Sequence, residues 1–460
     1  MNSSPLQCPS DFIARIEKQF KHEASLFLAA LEHHAQTSIR LNTAKHNFQT
    51  ECSPVAWCKN AFVLNERPNF ALDPLWHAGA YYVQEASSMF LEQIFKQIES
   101  SEPQLVLDLC AAPGGKSTQL NSLIKPSDLL VANELIKSRV PILHENLTKW
   151  GLPNHIISNS DPKQFANANG MFDVLLIDAP CSGEGLFRRD ANAMNEWSID
   201  NTQLCEVRQQ RILSDSIPCL KEGGYLIYST CTFNPGENEE NMAWLCREFG
   251  FESIRIPLSS SWNIDEIEHQ NTFGYRFLPH KVGGEGFFIA LLRKTTAEHE
   301  IRFSKKDRII FTSAKDYPTD WLNNSDDFLI FQHKEQISFC QKNWVKEISL
   351  LQKMINITKF GTPLASCIKN SFNPESELSF STVLKSEAFS KSELSHAEAL
   401  QFLAKENPEL NNVPKSWQVM TFKDVPLGFI KGLGSRYNNY YPKEWRLRTN
   451  NRDNLKLWHE

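Results

Sequence analysis

Closely spaced cysteines are missing from this 460-residue sequence. Its eleven cysteines are scattered and odd in number, no C-x-x-C pair occurs, and the nearest two are Cys52 and Cys58. Zinc fingers and ribbons need closely spaced ligands, and disulfide-stapled secreted domains usually hold an even number of cysteines. The sequence therefore predicts that the chain holds no metal site. It also predicts that the cysteines are reduced thiols, as in a cytoplasmic protein.

Long apolar runs and a dominant charge are also missing. Segments such as VLLID and YLIYS have the length of a strand, far below the roughly 20 residues of a membrane span. The first nine residues contain no apolar signal core. The formal net charge is −6, so no global basic field points to nucleic acid, although a local basic patch can still bind RNA. We expect a soluble, cytoplasmic chain without membrane contacts.

The sequence does contain an alternation of short apolar runs and amphipathic stretches from about residue 104. The runs are LVLDLC, LLVANE, HIISNS, FDVLLIDAP and GYLIYSTC, and GEGFFIALLRK adds another near residue 290. Continuous apolar strands that alternate with helices predict an α/β fold with a mainly parallel, doubly wound sheet. Ahead of it, apolar residues at helical spacing predict an amphipathic helix with a broken apolar stripe of Phe12, Ile16, Phe20, Leu26 and Leu31.

Ligands of such sheets bind beyond the carboxyl ends of the strands. After the first predicted strand, Gly114 and Gly115 let the backbone approach a ligand, and Lys116 adds a positive charge. The GKS at 115–117 is not a P-loop, because position 110 is Cys where that motif requires Gly. An ordinary tight turn is the alternative interpretation of this loop.

Acidic residues follow four consecutive predicted strands, namely Asp108, Glu134, Asp161 and Asp178. Each alone is more often a solvated carboxylate. Together they outline a crevice for a nucleoside-like cofactor, in which Glu134 has the spacing that binds ribose hydroxyls.

Two cysteines flank the same predicted crevice. Cys181 follows the fourth strand and Cys231 ends the fifth. Because thiolate is the strongest nucleophile among the side chains, this pair points to covalent catalysis. A buried thiol at a strand end is the alternative for either cysteine taken singly.

Three of these motifs carry a resemblance to a known family. LDLCAAPGGKST, DVLLIDAPCSGEG and GGYLIYSTCTFNPGENE resemble the motifs of the RsmB/RsmF/Sun family of RNA 5-methylcytosine methyltransferases, and RLNTAK and YYVQEASSM are similar to its upstream elements. The resemblance covers about residues 35 to 295. The ending GLGSRYNNYYPKEWRLR resembles the PUA-like RNA-binding domain of members that act on small-subunit ribosomal RNA. The family resemblance implies a Rossmann-like class I methyltransferase fold, with a small α+β N-terminal domain and a C-terminal α+β or β-rich PUA-like domain.

The resemblance also implies residue roles. Cys231 would be the nucleophile that adds to ring carbon 6 of cytosine, Cys181 would assist release of the methylated base, and Asp178 would hydrogen-bond the base near N3. The expected contacts of S-adenosyl-L-methionine are Cys110, Ala111, Ala112, Pro113, Gly114, Gly115, Lys116, Glu134, Asp161 and Asp178. The expected RNA contacts are Arg188, Arg189, Arg436, Lys443 and Arg446. The reaction requires no metal.

The last thirty residues support an RNA partner by their charge, with a solvated charged face as the alternative. They hold seven basic and three acidic residues, including the basic residues Lys431, Arg436, Lys443, Arg446, Arg448, Arg452 and Lys456. We expect an N-terminal accessory domain at 1–80, a catalytic domain at 81–295, a linker with a small α+β region at 296–380, and a PUA-like domain at 381–460. The predicted function is cytosine-5 methylation of 16S rRNA by a monomer. A tRNA cytosine-5 methyltransferase and a non-catalytic RNA-binding assembly factor are the alternatives.

Overall fold

The structure is a computed structural model that describes residues 8–98, 100–297, 299–304, 306–308, 311–314, 316–368, 371–410, 413–449 and 457–459. Within them, no helix is both long and apolar enough to span a bilayer.

Two helices begin the described chain, α1 (Ser10–Phe20) and α2 (Ala24–Leu31). Between them the backbone breaks, because Lys21 adopts a positive φ of 50°. The break changes the helical phase, so that Leu26 is 62% exposed while Ala24 and Phe27 are buried. The prediction that Leu26 shares one helical stripe with the other four apolar residues is therefore wrong.

A small antiparallel sheet follows the two helices. Its region contains β1 (Ser38–Leu41), β2 (Ser53–Pro54), β3 (Ala61–Val63), α3 (Pro74–His77), β4 (Tyr81–Val83) and α4 (Leu91–Phe95). The strand order is β2-β3-β1-β4. Strand β4, which we expected inside the catalytic domain, pairs with β1 through Arg40 and Tyr82.

The central region alternates strands and helices along the chain. Its elements are β5 (Leu105–Asp108), α5 (Gly115–Leu123), β6 (Leu129–Asn133), α6 (Val140–Trp150), β7 (His155–Ser158), α7 (Pro162–Phe165), β8 (Phe172–Asp178), α8 (Ala191–Glu196), α9 (Ile199–Ser216), β9 (Leu220–Thr230), α10 (Glu239–Phe249), β10 (Phe251–Ile254), β11 (Asp265–His269), β12 (Thr272–Phe277), α11 (Pro279–Val282) and β13 (Phe287–Lys294).

These strands form one sheet in which β9, β8, β5, β6 and β7 are parallel neighbours, and β13 and β12 extend it antiparallel beyond β9. Successive residues of β5 enter different cores, since Leu105 and Leu107 pack on one face and Val106 on the other. A strand that buries both faces needs apolar residues at every position. The predicted doubly wound α/β sheet is confirmed.

The next segment was expected to be a linker with a small α+β region, but part of it completes the main sheet. It contains β14 (Phe328–His333), β15 (Gln336–Gln341), α12 (Val345–Met354), β16 (Ile357–Phe360), β17 (Thr362–Ile368) and β18 (Ser371–Pro374). Strand β16 pairs antiparallel with β7, and α12 adds Ile348 and Leu351 to the core of the main sheet. The other four strands form their own sheet, in the order β14-β15-β17-β18.

The C-terminal region is a four-stranded sheet with one helix. Its elements are β19 (Ser390–Glu393), α13 (His396–Leu403), β20 (Trp417–Phe422), β21 (Val425–Gly432) and β22 (Tyr437–Asn439). Its apolar core is continuous with that of the N-terminal sheet, because Phe402 and Tyr441 belong to the same cluster as Leu75 and Tyr81. The N-terminal and C-terminal sheets therefore pack together.

Candidate active site

The candidate site lies where the central parallel strands end. In the register of the sheet, Asp108 of β5 is level with Leu176 of β8, and Asp178 of β8 is level with Ser229 of β9. Because neighbouring parallel strands end at the same edge, the residues that follow them come together there. The loops after β5, β6, β8 and β9 form this edge.

The glycine-bearing loop at 109–114 leads from β5 into α5. Gly114 precedes the helix with φ of 115°, a conformation that favours glycine. The loop is held by its neighbours, since Ala111 N donates to Asn133 O at 2.8 Å and Asn146 Nδ2 donates to Pro113 O at 2.8 Å. It is therefore an ordered backbone surface beside the amino end of a helix, which suits a polar ligand.

Glu134 directly follows β6 and faces this loop. Its carboxylate accepts hydrogen bonds from Ile136 N at 2.8 Å and Ala112 N at 3.3 Å, and it lies 3.4 Å from the guanidinium of Arg139. These contacts hold the carboxylate against the glycine-bearing loop. The ribose contact of Glu134 stays a prediction.

Asp108 is buried below the same loop. Its Oδ2 accepts a hydrogen bond from Ser117 Oγ at 2.6 Å, whereas its Oδ1 has no hydrogen-bond partner. Burial raises the pKa of Asp108 to about 7. Burial, with the nearby charge of Asp108, also raises the pKa of Cys110 well above its ordinary value, so Cys110 stays a neutral thiol. An unpartnered buried acceptor beside the loop fits a ligand that carries N–H donors.

A partly buried ion pair connects the loop to the next strand end. Lys116 Nζ lies 2.9 Å from Asp178 Oδ2, and Asp178 Oδ1 accepts a hydrogen bond from Ser229 Oγ at 2.7 Å. Burial lowers the pKa of Lys116, but the negative charge of Asp178 outweighs it and the net shift is upward. The lysine is therefore a permanent positive charge next to Asp178, and it also interacts electrostatically with Cys231.

Cys181 and Cys231 face each other across the ends of β8 and β9. Their sulfur atoms are 3.1 Å apart, and Cys231 N donates to Cys181 Sγ at 3.3 Å. The hydrogen bond to Cys231, together with burial, raises the pKa of Cys181 well above its ordinary value. At neutral pH, Cys181 is thus a protonated thiol within hydrogen-bond distance of the other sulfur.

Two buried glutamates support the cysteine loops, and the sequence analysis missed both. Glu184 accepts hydrogen bonds from Arg15 Nη2 at 2.6 Å and from Phe233 N at 3.1 Å. Glu237 accepts from Ser182 N and Ser182 Oγ at 2.9 and 2.5 Å. Each lies within six residues of a cysteine in a Gly-containing turn, which was the only sequence signal, since acidic residues in turns are usually solvated.

The remaining predicted cofactor residue, Asp161, lies further along the edge. Strand β7 ends at Ser158, and Asp161 instead caps α7 by accepting from Lys163 N at 3.0 Å. Its carboxylate is 3.5 Å from Arg211 and is partly exposed. It has no direct contact with the loop at 109–114 among the described hydrogen bonds and ion pairs.

The predicted RNA contacts differ in exposure. Arg188 is buried and donates to the backbone carbonyls of His33, His34, Gly283 and Gly284, so its guanidinium joins the segment after α2 to the loop before β13. This arrangement disfavours Arg188 as an RNA contact. Arg189, by contrast, has a side chain that is 62% exposed, and its Nη1 lies 3.2 Å from Glu285.

The C-terminal candidates Arg436, Lys443 and Arg446 are all exposed. Trp445, which lies between two of them, contacts His144 of α6 with ring centres 6.3 Å apart. The same helix contacts the glycine-bearing loop through Asn146, so this basic segment lies on the flank of the candidate site. Arg452 and Lys456 lie outside the described residues.

Three family profiles match consecutive parts of the chain. The profile described as 16S rRNA methyltransferase RsmB/F matches residues 96–293. The N-terminal domain of 16S rRNA methyltransferase RsmF matches residues 8–86, and the methyltransferase RsmF PUA domain matches residues 389–447. The first match contains the whole candidate site.

Individual relatives match almost the full length. Ribosomal RNA small subunit methyltransferase F of Enterobacter sp. (strain 638) is 30% identical over 466 residues, which cover 95% of each chain. The protein of that name in Escherichia coli (strain K12) is 29% identical and covers 95% of this chain and 96% of its own.

Solved structures share the fold of about two thirds of the chain. A methyltransferase homologue from Pyrococcus horikoshii has a TM-score of 0.54 at 29% identity, covering 63% of this chain and 96% of its own. NSun6 from the same organism, crystallised with SFG, has a TM-score of 0.53 at 20% identity and covers 63% of this chain and 98% of its own. The second likeness concerns the fold alone.

Proposed function

Since the chain belongs to the RsmB/RsmF family of 16S rRNA methyltransferases, we propose that it methylates carbon 5 of a cytosine in 16S rRNA with S-adenosyl-L-methionine as the methyl donor. One observation carries this proposal. The sulfur atoms of Cys181 and Cys231 lie 3.1 Å apart at the same sheet edge as the glycine-bearing loop, with the Lys116–Asp178 pair at that edge too.

Cytosine methylation at carbon 5 needs a nucleophile, because this ring carbon is too weakly nucleophilic to take a methyl group directly. Addition of the Cys231 sulfur to carbon 6 breaks the ring conjugation and makes carbon 5 enamine-like. The positive charge of Lys116 interacts electrostatically with Cys231, whose sulfur must attack. The Asp178 carboxylate, held by Ser229 and Lys116, is available to accept a hydrogen bond from the N4 amino group beside N3, or from N3 once that nitrogen takes up a proton, and so to favour addition.

Release requires the loss of the proton on carbon 5 and cleavage of the carbon–sulfur bond. The electrons of the C5–H bond restore the C5–C6 double bond, and those of the C6–S bond return to the Cys231 sulfur. Cys181 is a protonated thiol within hydrogen-bond distance of that sulfur. It can therefore donate its proton to the departing sulfur, and the Cys181 thiolate that results can accept the proton from carbon 5.

The residues beside the crevice fit the methyl donor. When bound, S-adenosyl-L-methionine supplies the sulfonium methyl group that the activated carbon 5 attacks. The loop from Cys110 to Lys116 would hold it, with Glu134 on the ribose hydroxyls and Asp161 near the adenine. The unpartnered Oδ1 of Asp108 supports this assignment, because the amino acid part of the donor carries an ammonium group.

The RNA would present its target base unpaired or flipped out, since carbon 5 and carbon 6 cannot be reached inside a duplex. The exposed residues Arg189, Arg436, Lys443 and Arg446 are the proposed contacts to its phosphates. The full-length likeness to small-subunit rRNA methyltransferases supports 16S rRNA over tRNA. Bisulfite sequencing of cellular RNA with and without the protein would identify the substrate.

Transfer of labelled methyl groups from S-adenosyl-L-methionine to small-subunit RNA tests the activity. We expect Cys231→Ala to abolish transfer while the thermal unfolding temperature and donor binding stay near those of the wild type. Unchanged turnover of this variant would refute the role of Cys231. Binding of RNA without any affinity for the methyl donor would instead favour the assembly-factor alternative.

A further inference from the structure

The residues that follow the two cysteines meet at one buried carboxylate. Glu237 lies in the turn between β9 and α10 and is fully buried. Its Oε1 accepts from Ser182 Oγ at 2.5 Å and lies 3.5 Å from Thr232 Oγ1, and its Oε2 accepts from Ser182 N at 2.9 Å. The two hydroxyl groups also contact each other at 2.8 Å. One side chain thus links the loop of Cys181 to the loop of Cys231.

Glu237 is itself held from two directions. Gln209 of α9 donates through Nε2 to the Oε2 of Glu237 at 2.9 Å and to Pro180 O at 3.2 Å. Tyr228 of β9 donates its hydroxyl to Glu237 O at 2.7 Å. Glu237 therefore connects Ser182 to α9 through its carboxylate and to β9 through its backbone carbonyl.

The negative charge of the buried Glu237 carboxylate is energetically unfavourable. No lysine or arginine forms an ion pair with Glu237 in the part of the chain that the structure describes. Burial raises the pKa of Glu237 to about 7, and the nearby Glu184 adds to the shift. Burying a carboxylate without a cation destabilises the folded state. Such a group is more often kept for the geometry of a functional site than for stability.

The two cysteines depend on Glu237 to different degrees. Cys231 directly follows β9, and its loop is also fixed by Gly185 N, which donates to Cys231 O at 2.8 Å, and by Phe233 N, which donates to Glu184. Cys181 lies three residues beyond the end of β8. The loop of Cys181 is held before the cysteine by Ala179 N, which donates to Ser229 O at 2.8 Å, and by Pro180 O, which accepts from Gln209. At Ser182, the residue next to Cys181, it is held by two hydrogen bonds to Glu237.

We propose that Glu237 is a positioning residue for release of the methylated base, which keeps the Cys181 thiol against the Cys231 sulfur through Ser182. This inference rests on the proposed methyl transfer. Without the carboxylate, Cys231 still adds to the base and carbon 5 still takes the methyl group. The C6–S bond is then cleaved slowly, because the proton donor for the departing sulfur is displaced.

Glu237→Gln is the matched variant, because the amide keeps the shape but turns N–H donors toward groups that are themselves donors. Each variant is incubated with small-subunit RNA and S-adenosyl-L-methionine. Covalent protein–RNA complex is quantified on denaturing gels, beside single-turnover methyl transfer and steady-state turnover. We expect steady-state turnover to fall about tenfold or more while single-turnover transfer stays within about threefold, and a covalent complex to accumulate as in Cys181→Ala. Glu240→Gln, a neighbouring exposed glutamate, should behave as the wild type.

The outcomes separate this inference from the proposed function. If Cys181→Ala accumulates the complex and a folded Glu237→Gln does not, the positioning role is overturned and the methyltransferase assignment stands. If single-turnover transfer falls as much as steady-state turnover, Glu237 does not act on release. If Cys231→Ala remains active, the proposed function itself fails.

A large drop in the thermal unfolding temperature would show that Glu237→Gln does not fold, and a second variant then tests the inference. Ser182→Ala removes the hydroxyl that links Glu237 to Thr232 and leaves the carboxylate in place. It should also accumulate the covalent complex. A folded Ser182→Ala that releases RNA as fast as the wild type would overturn the inference.

Discussion

The sulfur atoms of Cys181 and Cys231 lie 3.1 Å apart, across the ends of two parallel neighbouring strands. The proton on Cys181 is held there by the hydrogen bond to Cys231 and by burial. Removing this donor should leave addition intact and slow the expulsion of Cys231. We therefore expect Cys181→Ala to trap a covalent complex with methylated RNA, measured as a gel species that denaturant does not dissociate. The double variant with Cys231→Ala serves as the control and should form none, and a Cys181→Ala enzyme that turns over normally without a complex would contradict the role.

Gly185 is the second position where the geometry predicts a kinetic effect. A Cβ atom there would lie 2.6 Å from Gly286 O and 3.0 Å from Cys231 O, both backbone atoms that cannot rotate away. Gly185→Ala should therefore displace the loop of Cys231 and lower kcat by about ten- to a hundredfold, because small misplacements of reacting groups are costly. Methyl transfer at saturating substrate measures this.

Gly223→Ala is the control for this effect, since its positive φ of 74° makes alanine strained, but its Cβ would meet only Arg293 at 3.5 Å. It should lose stability and keep kcat. Equal kcat for the Gly185→Ala and wild-type enzymes would show that the loop of Cys231 has room to adjust.

The strand ends were predictable from the sequence because the run of buried apolar residues fixes a parallel sheet, and a parallel sheet collects the residues that follow its strands at one edge. This rule alone was enough to predict that Asp108, Glu134, Asp178 and the two cysteines lie at that edge. Asp161 was placed at a strand end that the structure puts at Ser158, since a short strand and a helix cap look alike in sequence.

Contacts between distant segments were not predictable. Arg188 looked like a phosphate ligand, but it donates to carbonyls about 150 residues before it and about 95 after it. Glu237 looked like a solvated turn residue, and only the fold shows that it joins two cysteine loops. The pairing of β16 with β7 crosses about 200 residues, and no local pattern indicates such a partner.

Acid should destabilise the protein partly through His155, at the start of β7. Burial lowers the pKa of His155 to about 3, and its Nε2 has no hydrogen-bond partner. In the unfolded chain, the imidazole of His155 therefore takes up a proton near pH 6.5, whereas in the folded chain it takes one up only near pH 3. Its contribution to the free energy of unfolding is complete above pH 6.5 and is lost as the pH falls toward 3.

His155→Asn, which can keep the hydrogen bond to Leu152 O, should show a shallower loss of stability between pH 6.5 and 4 in denaturant titrations. The difference from the wild type should amount to a few kcal/mol at most. His333→Asn, at an exposed hairpin, should leave the slope unchanged. Parallel pH curves for wild type and His155→Asn would contradict the prediction.

The exposed basic residues of the C-terminal segment should determine how RNA binding depends on salt. Each phosphate that a lysine or arginine neutralises releases counterions, and for single strands log K falls with log salt by about 0.7 per contact. Replacing Arg436, Lys443 and Arg446 by Gln should therefore weaken RNA binding and lower the magnitude of this slope by about 2. The measurement is RNA affinity at several salt concentrations, made in a Cys231→Ala background so that no turnover occurs. Lys334→Gln, on the hairpin of a different sheet, is the control and should change neither value. If the triple variant keeps the affinity and the slope of its parent, the segment beside α6 is a solvated surface and the RNA lies elsewhere.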